Sequence, residues 1–519
     1  LVFAKKGCAL HLKDSTIIRN HNKEMAMPNS SAQGAATFLP ENYLSGMFYG
    51  NGWSSGEDLV AAVEPATGAQ LGTIALANAD TVAIAAKSAR KAQREWAANS
   101  PDDRAAVFLR ALSVGQQYRD DIIDWLVRES GSARGKAAFE LQVTLKAIQL
   151  AAAMPHQAQG LVLPTTPGRI NLARRRPIGV VGIIAPFNFP LYLAMRAVAP
   201  ALAVGNAVIL KPDPRTAICG GLVIARLFEM AGLPAGVLHV LPGGSEAGEA
   251  LCSDPEIGMI QFTGSTGAGR MVGQNASRHL KKVSLELGGK NSIIVLDDAD
   301  IDLALRNVAW GVFLHQGQIC MSAGRVLVHQ SIADDFVKAL AQKAQALPMG
   351  DPTDETIAIG PLINQRQADH VVKVVRETVD AGATLATGGT SDGLFYAPTV
   401  LSGVTPEMSA FREEIFGPVA VITTFADDAE AVKLANQTEY GLSAAILSRN
   451  VSRALALGEQ LQTGLLHIND QTVNDEVVNP FGGVGASGNG SAIGGPANWE
   501  EFTEWQWVTI KGEAPAYPF

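Results

Sequence analysis

From residue 178 onward, short apolar runs rich in β-branched residues alternate with longer stretches of helical periodicity. Residues 178–185 form a continuous apolar run with Gly179 and Gly182 inside it, the pattern of a strand buried on both faces. A helix is predicted over 191–204, a strand over 207–211 and a helix over 217–231, stopped by Gly232 and Pro234. The runs 237–241, 244–252 and 259–262 repeat the unit. A second series starts with strands at 282–287 and 292–296. It continues with a helix over 301–315, a strand at 325–329 and a helix over 332–346, and the Gly/Pro-containing stretch 347–361 reads as surface loop. Upstream, 80–98 and 102–131 read as two amphipathic helices, the first opened by Asn78 or Asp80. This alternation predicts an α/β protein with two doubly wound parallel sheets, helices covering both faces of each.

Composition narrows the class. The chain has 519 residues, enough for two or three domains, with 47% hydrophobic and 18% charged residues, as expected of packed globular domains. Its formal net charge is −9, and the one short basic cluster, Arg174 to Arg176, reads as a solvated edge or a subunit contact, so no nucleic-acid partner is expected. No apolar run approaches the roughly 18–20 residues needed to cross a bilayer, so no membrane partner is expected. Cys8, Cys219, Cys252 and Cys320 form no CxxC pair and have no metal-ligand spacing to histidines. No metal site is predicted, and such sparse cysteine usage points to a reduced, cytoplasmic compartment. Residues 1–26 are set apart as a disordered leader, with Met25 or Met27 as alternative natural starts.

Four segments carry candidate chemistry. Asn188 lies between two aromatic residues and two prolines at the end of a buried strand. Its amide could donate to a developing oxyanion or, equally, cap the next helix. Lys211-Pro212-Asp213 ends the next strand, where open α/β sheets bind ligands. The stretch 262–270, with Gly264, Ser265 and Gly269, links a strand to a helix and suits a phosphate at the helix N-terminus. A tight turn with a Ser/Thr cap explains it nearly as well. Glu286 ends an apolar strand before two glycines, and Cys320 follows a Gly-Gln turn 34 residues later. A buried carboxylate there would have a raised pKa suited to a general base, and Cys320 would stand at an exposed corner as nucleophile. Pairing of Cys320 with His315 is the alternative catalytic arrangement. Cys219 and Cys252 sit in apolar helical patterns and read as core residues.

Taken together, the segments PFNFP, LKPD, FTGSTGAGR, ELGGK, GQIC, EEIFGPV and PFGGVGASG, in this order from about Tyr49 to the C-terminus, resemble the aldehyde dehydrogenase superfamily. The segments 313–321 and 467–471 and the last four residues are similar to its bacterial aromatic-aldehyde (benzaldehyde) members. The resemblance implies that the Cys320 thiolate attacks an aldehyde to give a thiohemiacetal. Asn188 and the Cys320 N–H would hold the oxyanion, and Glu286 would activate the water that hydrolyses the resulting thioester. Because members that transfer the acyl group to coenzyme A generally lack this glutamate, hydrolysis is implied.

By the same resemblance, Lys211, Asp213, Gly264, Ser265, Gly269, Glu414 and Phe416 bind a nicotinamide dinucleotide. NAD is favoured. Pro214 stands where many NAD-preferring members carry a glutamate, which leaves NADP open. An apolar slot of Phe189, Tyr192, Leu193, Ile319 and Met321 would take the ring, while a semialdehyde acid would want a cation such as Arg196 or Arg325. The domain layout implied is a dinucleotide-binding domain over 27–157 and 178–288 and a catalytic domain over 289–488. Oligomerisation segments at 158–177 and 495–519 would build a homodimer or homotetramer. An aliphatic or semialdehyde dehydrogenase, a cofactor-free thiol esterase and a non-enzymatic relative are the competing readings. The esterase leaves Lys211 and the glycine turn without a purpose, and retention of Cys320, Glu286 and Asn188 together argues against the non-enzyme.

Overall fold

A computed structural model of the protein describes residues 37–158 and 160–519, so the leader expected at 1–26 lies outside the described residues. The two expected parallel sheets are present. The first has seven strands in the spatial order Lys282–Glu286, Ile257–Thr263, Val180–Ile184, Ala207–Lys211, Leu238–Val240, Met47–Tyr49 and Trp53–Ser55. Its first five strands are parallel, and an antiparallel pair from the start of the described chain closes the edge. Every residue of Val180–Ile184 and Ala207–Lys211 is buried, which explains why these strands read as apolar runs and not as alternation. The second sheet runs Thr384–Thr387, Thr399–Ser402, Val419–Phe425, Arg325–His329, Ser292–Val295, Ser443–Leu447 and Leu465–Ile468, parallel except for its first strand.

A third, smaller sheet pairs Arg169–Pro177 antiparallel with Gly160–Leu163 on one side and with the C-terminal strand Thr503–Lys511 on the other. The arginine cluster lies in its middle strand. Arg174 donates to Gln506, while Arg175 donates to the Trp499 carbonyl at 2.9 Å and stacks on Trp505 at 4.1 Å. Leu161, Val162, Ile170, Trp505 and Trp507 are exposed on this sheet.

The helices fit the pattern with three corrections. Asn78 caps Ala79–Ala98 by accepting from the Thr81 N–H at 2.9 Å. The single helix expected over 102–131 is two, Pro101–Gln117 and Arg119–Ser130. Tyr118 leaves helical geometry (φ −104°, ψ 30°), and its ring lies 5.2 Å from that of Phe38. Gly131, at φ 67°, ends the second helix. The following helix, Arg134–Ala153, escaped periodicity because its buried positions include Lys136 and Glu140, which a hydrophobic pattern counts as surface. The helix expected over 217–231 begins instead with a wide turn, Ile218–Leu222, before Val223–Met230, its first N–H groups held by the buried Glu129 carboxylate. Among the described residues no helix is long and apolar enough to cross a membrane.

Candidate active site

Two cavities meet at Cys320. The larger, about 900 Å³, runs along the carboxyl ends of the first sheet's strands, where open α/β sheets bind ligands. The smaller, about 200 Å³, lies among helices and loops. Asn188, Leu193 and Cys320 line both.

The turn that presents Cys320 is held by its backbone. His315, Gln316 and Gly317 all take left-handed conformations (φ 50°, 56° and 68°). At Gly317 a Cβ would collide with the Gly417 carbonyl oxygen, so only glycine fits. Gln316 donates from Nε2 to the carbonyls of Gly131 and Pro361, both at 2.9 Å, and Gln318 Oε1 accepts from Ile363 N–H at 3.0 Å. Asn291 Nδ2 donates to the Cys320 carbonyl at 2.7 Å. Cys320 lines both cavities and is intermediate in exposure, unlike the buried Cys219 and Cys252. Burial, then Glu414, Glu286 and Asp475, push its pKa up to about 12, the Met321 backbone N–H opposing. The resting residue is therefore a protonated thiol.

No hydrogen bond joins His315 to Cys320. The imidazole is buried with both nitrogens unpartnered, packs edge-on against Phe189 at 5.8 Å, and is held neutral by burial and by the nearby Lys136. The Cys/His alternative therefore has no structural basis.

Asn188 is buried, and its side-chain amide makes no hydrogen bond among the described residues. The capping alternative fails, because the helix Pro190–Ala203 is capped by Glu140, whose Oε1 accepts from Leu191 N–H at 2.9 Å and Tyr192 N–H at 3.1 Å. Glu140 pairs with the buried Lys136 at 2.5 Å, and Lys136 donates to the Asn188 carbonyl at 2.8 Å. The backbone of Asn188 is thus fixed while its amide stays free. Sequence reasoning missed Lys136 and Glu140. Their i, i+4 spacing was visible, but nothing in the sequence indicates that such a pair is buried.

Glu286 is buried, lines neither cavity, and has no partner for either carboxylate oxygen. Burial raises its pKa well above the ordinary value, with Arg196 opposing and Glu501 and Asp475 adding to the rise. Its main-chain carbonyl accepts from Gly264 N–H at 3.0 Å, which ties the strand bearing it to the glycine turn.

In the larger cavity, Lys211 Nζ donates to the Gly243 carbonyl at 2.6 Å, and burial lowers its pKa. Asp213 is engaged by Arg215 through Nε at 2.8 Å and Nη2 at 2.6 Å, and the Arg215 guanidinium lies 4.1 Å over the Phe187 ring. Ser265 caps the helix Thr266–Arg278, and Gly264 and Ser265 both line the cavity at that helix's N-terminus. Gly269 does not line it. A Cβ there would strike Leu287, so this glycine serves close helix–strand packing.

Glu414 accepts from Gly289 N–H at 3.0 Å through Oε1. Burial raises its pKa to about 7 against the pull of that N–H and of Lys290. Phe416, at φ 53°, meets Phe187 edge-on at 5.7 Å. Arg366, Gln367 and His370 also line this cavity and were not predicted.

All five predicted residues, Phe189, Tyr192, Leu193, Ile319 and Met321, line the smaller pocket. Phe139, Val143, Trp310 and Phe481 complete its apolar wall, and Gln471, Asn474 and Asp475 form a polar edge. Neither candidate cation is free. Arg196 pairs with Asp475 and donates to the Ile493 carbonyl at 3.0 Å. Arg325 is buried elsewhere, donating to the carbonyls of Lys290, Leu434 and Ala435.

The aldehyde dehydrogenase family model matches residues 53–508. The chain belongs to the aldehyde dehydrogenase family. It is 53% identical over 486 residues, 93% of this chain and 100% of the relative, to a vanillin dehydrogenase from Amycolatopsis sp.. It is 48% identical over 476 residues, 91% of this chain and 98% of the relative, to a benzaldehyde dehydrogenase [NAD(+)] from Pseudomonas putida. Among solved structures, an NAD-dependent aldehyde dehydrogenase from Sinorhizobium meliloti superposes with a TM-score of 0.87 at 34% identity, covering 92% of this chain and 96% of that one. Within this aldehyde dehydrogenase, the thiol, the free amide and the larger cavity therefore stand in a fold shared along nearly the full chain.

Proposed function

We propose that this aldehyde dehydrogenase oxidises aromatic aldehydes to carboxylic acids with NAD. The observation that carries the reading is the convergence of both cavities on Cys320 beside the unengaged amide of Asn188. The aldehyde lies in the smaller pocket, whose apolar wall suits a ring and whose lining includes Asp475 but no lysine or arginine, which disfavours a substrate bearing a carboxylate. The Cys320 thiol gives up its proton to solvent, the thiolate so formed bonds to the carbonyl carbon, and the oxygen takes the negative charge, held by the Asn188 amide and the Cys320 N–H.

The larger cavity fits a dinucleotide. Lys211 Nζ and the helix N-terminus at Ser265 offer donors for ribose and phosphate oxygens, and Glu414 Oε2 offers an acceptor. When bound, the dinucleotide accepts the hydride that leaves the carbonyl carbon. Glu286, in its ionised form, then takes a proton from water, the water oxygen bonds to the thioester carbon, the carbon–sulfur bond breaks, and the acid departs as the thiolate regains a proton and returns to the resting thiol.

On the same reading the first sheet serves the dinucleotide and the second carries the nucleophile. The three-stranded sheet, with its exposed tryptophans and aliphatic residues, joins copies of the chain into a dimer or tetramer. A free nucleophilic thiol fits a reducing, cytoplasmic setting. The test is a panel of aromatic and aliphatic aldehydes assayed by reduced-nicotinamide absorbance with NAD and with NADP. Aromatic substrates with NAD are expected to give the highest kcat/KM, and an aliphatic preference would overturn the reading.

A further inference from the structure

We propose that Asp475 is the acceptor for a hydroxyl group on the substrate's ring, so that the preferred aldehydes are ring-hydroxylated. This rests on the reading that the smaller pocket holds an aromatic aldehyde. Away from Asn188 and Cys320, where the chemistry lies, and the Tyr192 hydroxyl, that pocket is apolar except along the short segment 471–475. The side chain of Asp475 is 11% exposed, and both of its hydrogen bonds fall on one oxygen. Oδ2 accepts from the Tyr192 hydroxyl at 3.0 Å and from Arg196 Nη1, while Oδ1 accepts nothing among the described residues. Arg196 is itself immobilised: it is 4% exposed, bonded to the Ile493 carbonyl at 3.0 Å, and lies 4.6 Å over the Phe481 ring.

The result is a rigid ion pair at the wall of an apolar pocket with one acceptor oxygen left over. Two donors on Oδ2 suffice to anchor the segment to the helix. The vacant position on Oδ1 calls for a donor, and a phenolic O–H supplies one. The wall lies in the same electrostatic environment as the chemistry, since the Asp475 charge raises the pKa of both Cys320 and Glu286. Cys320 and Asp475 line the same pocket, so a ring held at Cys320 by its formyl carbon extends along a wall that carries Asp475. A site built to bond a substrate hydroxyl discriminates against analogues that lack it.

The experiment compares benzaldehydes bearing hydroxyl, methyl or methoxy groups at the 3- and 4-positions. The wild type is expected to favour hydroxyl over the similarly sized methyl by about tenfold in kcat/KM, carried by KM. In Asp475→Asn the two donors on Oδ2 hold the amide carbonyl toward themselves, which leaves an NH₂ in place of Oδ1. That exchange of acceptor for donor is expected to shift the methoxy-over-hydroxyl ratio upward by about tenfold. Tyr192→Phe keeps the Asp475–Arg196 pair and retains the hydroxyl preference. A wild type that treats hydroxyl and methyl alike, which needs no variant to be seen, overturns the proposal. So does an unchanged ratio in Asp475→Asn, or loss of the preference in Tyr192→Phe. If the wild type oxidises aliphatic aldehydes and no benzaldehyde, the aromatic reading itself has failed.

Discussion

The two cavities that meet at Cys320 are built in different ways. The larger is framed by the carboxyl ends of parallel strands and by the turns that follow them, so its polar groups sit on backbone held by the sheet. The smaller is framed by side chains from separate helices and a late loop: Phe139 and Val143, Phe189 to Leu193, Trp310, and residues 471–481. The first is set by backbone position, the second by side-chain volume. A frame of the first kind suits a constant ligand such as a dinucleotide. A frame of the second kind can be altered one side chain at a time.

The sharpest way to break this comparison is at Cys320, one of the three residues both cavities share. Cys320→Ala is expected to lower aldehyde oxidation by about 10³-fold or more while dinucleotide binding, measured by protein fluorescence, stays near the wild-type value. Loss of dinucleotide binding would mean that the larger cavity depends on the smaller. A somewhat smaller effect is expected at Glu286, which lines neither cavity. Glu286→Gln should give a single-turnover burst of reduced nicotinamide, followed by steady-state release slowed by about 10²–10⁴-fold. Normal steady-state turnover would remove Glu286 from the hydrolytic step.

The smallest effect concerns stability. The folded-state pKa of Glu414 is raised to about 7 from the ordinary 4.5, so the folded protein holds this proton more tightly than the unfolded chain does. The stabilisation is fully present below the unfolded pKa and is lost as pH rises through about 7, a difference of order 3 kcal/mol at most. Glu414→Gln should therefore flatten the dependence of Tm on pH between about 5 and 8, a change read by calorimetry. An unchanged slope would assign the dependence to other groups.

The same contrast explains what could be read from the sequence. Strands such as Ala207–Lys211 and Arg325–His329 were legible to the residue, because their buried stretches 207–210 and 326–328 are unbroken apolar runs. The turns of the larger cavity were legible because close backbone approach demands glycine, although that signal does not say what approaches. Gly269 meets Leu287 and not the cavity. The wall of the smaller pocket was half visible. Residues adjacent to motifs were found, whereas Phe139, Trp310 and Asp475 come from distant segments whose local patterns look like ordinary helix or loop. Lys136 and Glu140 were hidden for a related reason, since a buried ion pair looks in sequence like a solvated helix face.

The contact of Gly317 with the Gly417 carbonyl has a further consequence. The turn carrying the nucleophile and the loop carrying Glu414 and Phe416 lie back to back with no side chain between them. A displacement of one is transmitted to the other, so the turn at 315–320 and the loop at 414–418 behave as a single mechanical part. Attempts to widen the range of aldehydes by laboratory evolution should therefore find tolerated changes at Phe139, Val143 and Trp310, and should find residues 315–320 and 414–418 closed to variation even where those positions touch no substrate.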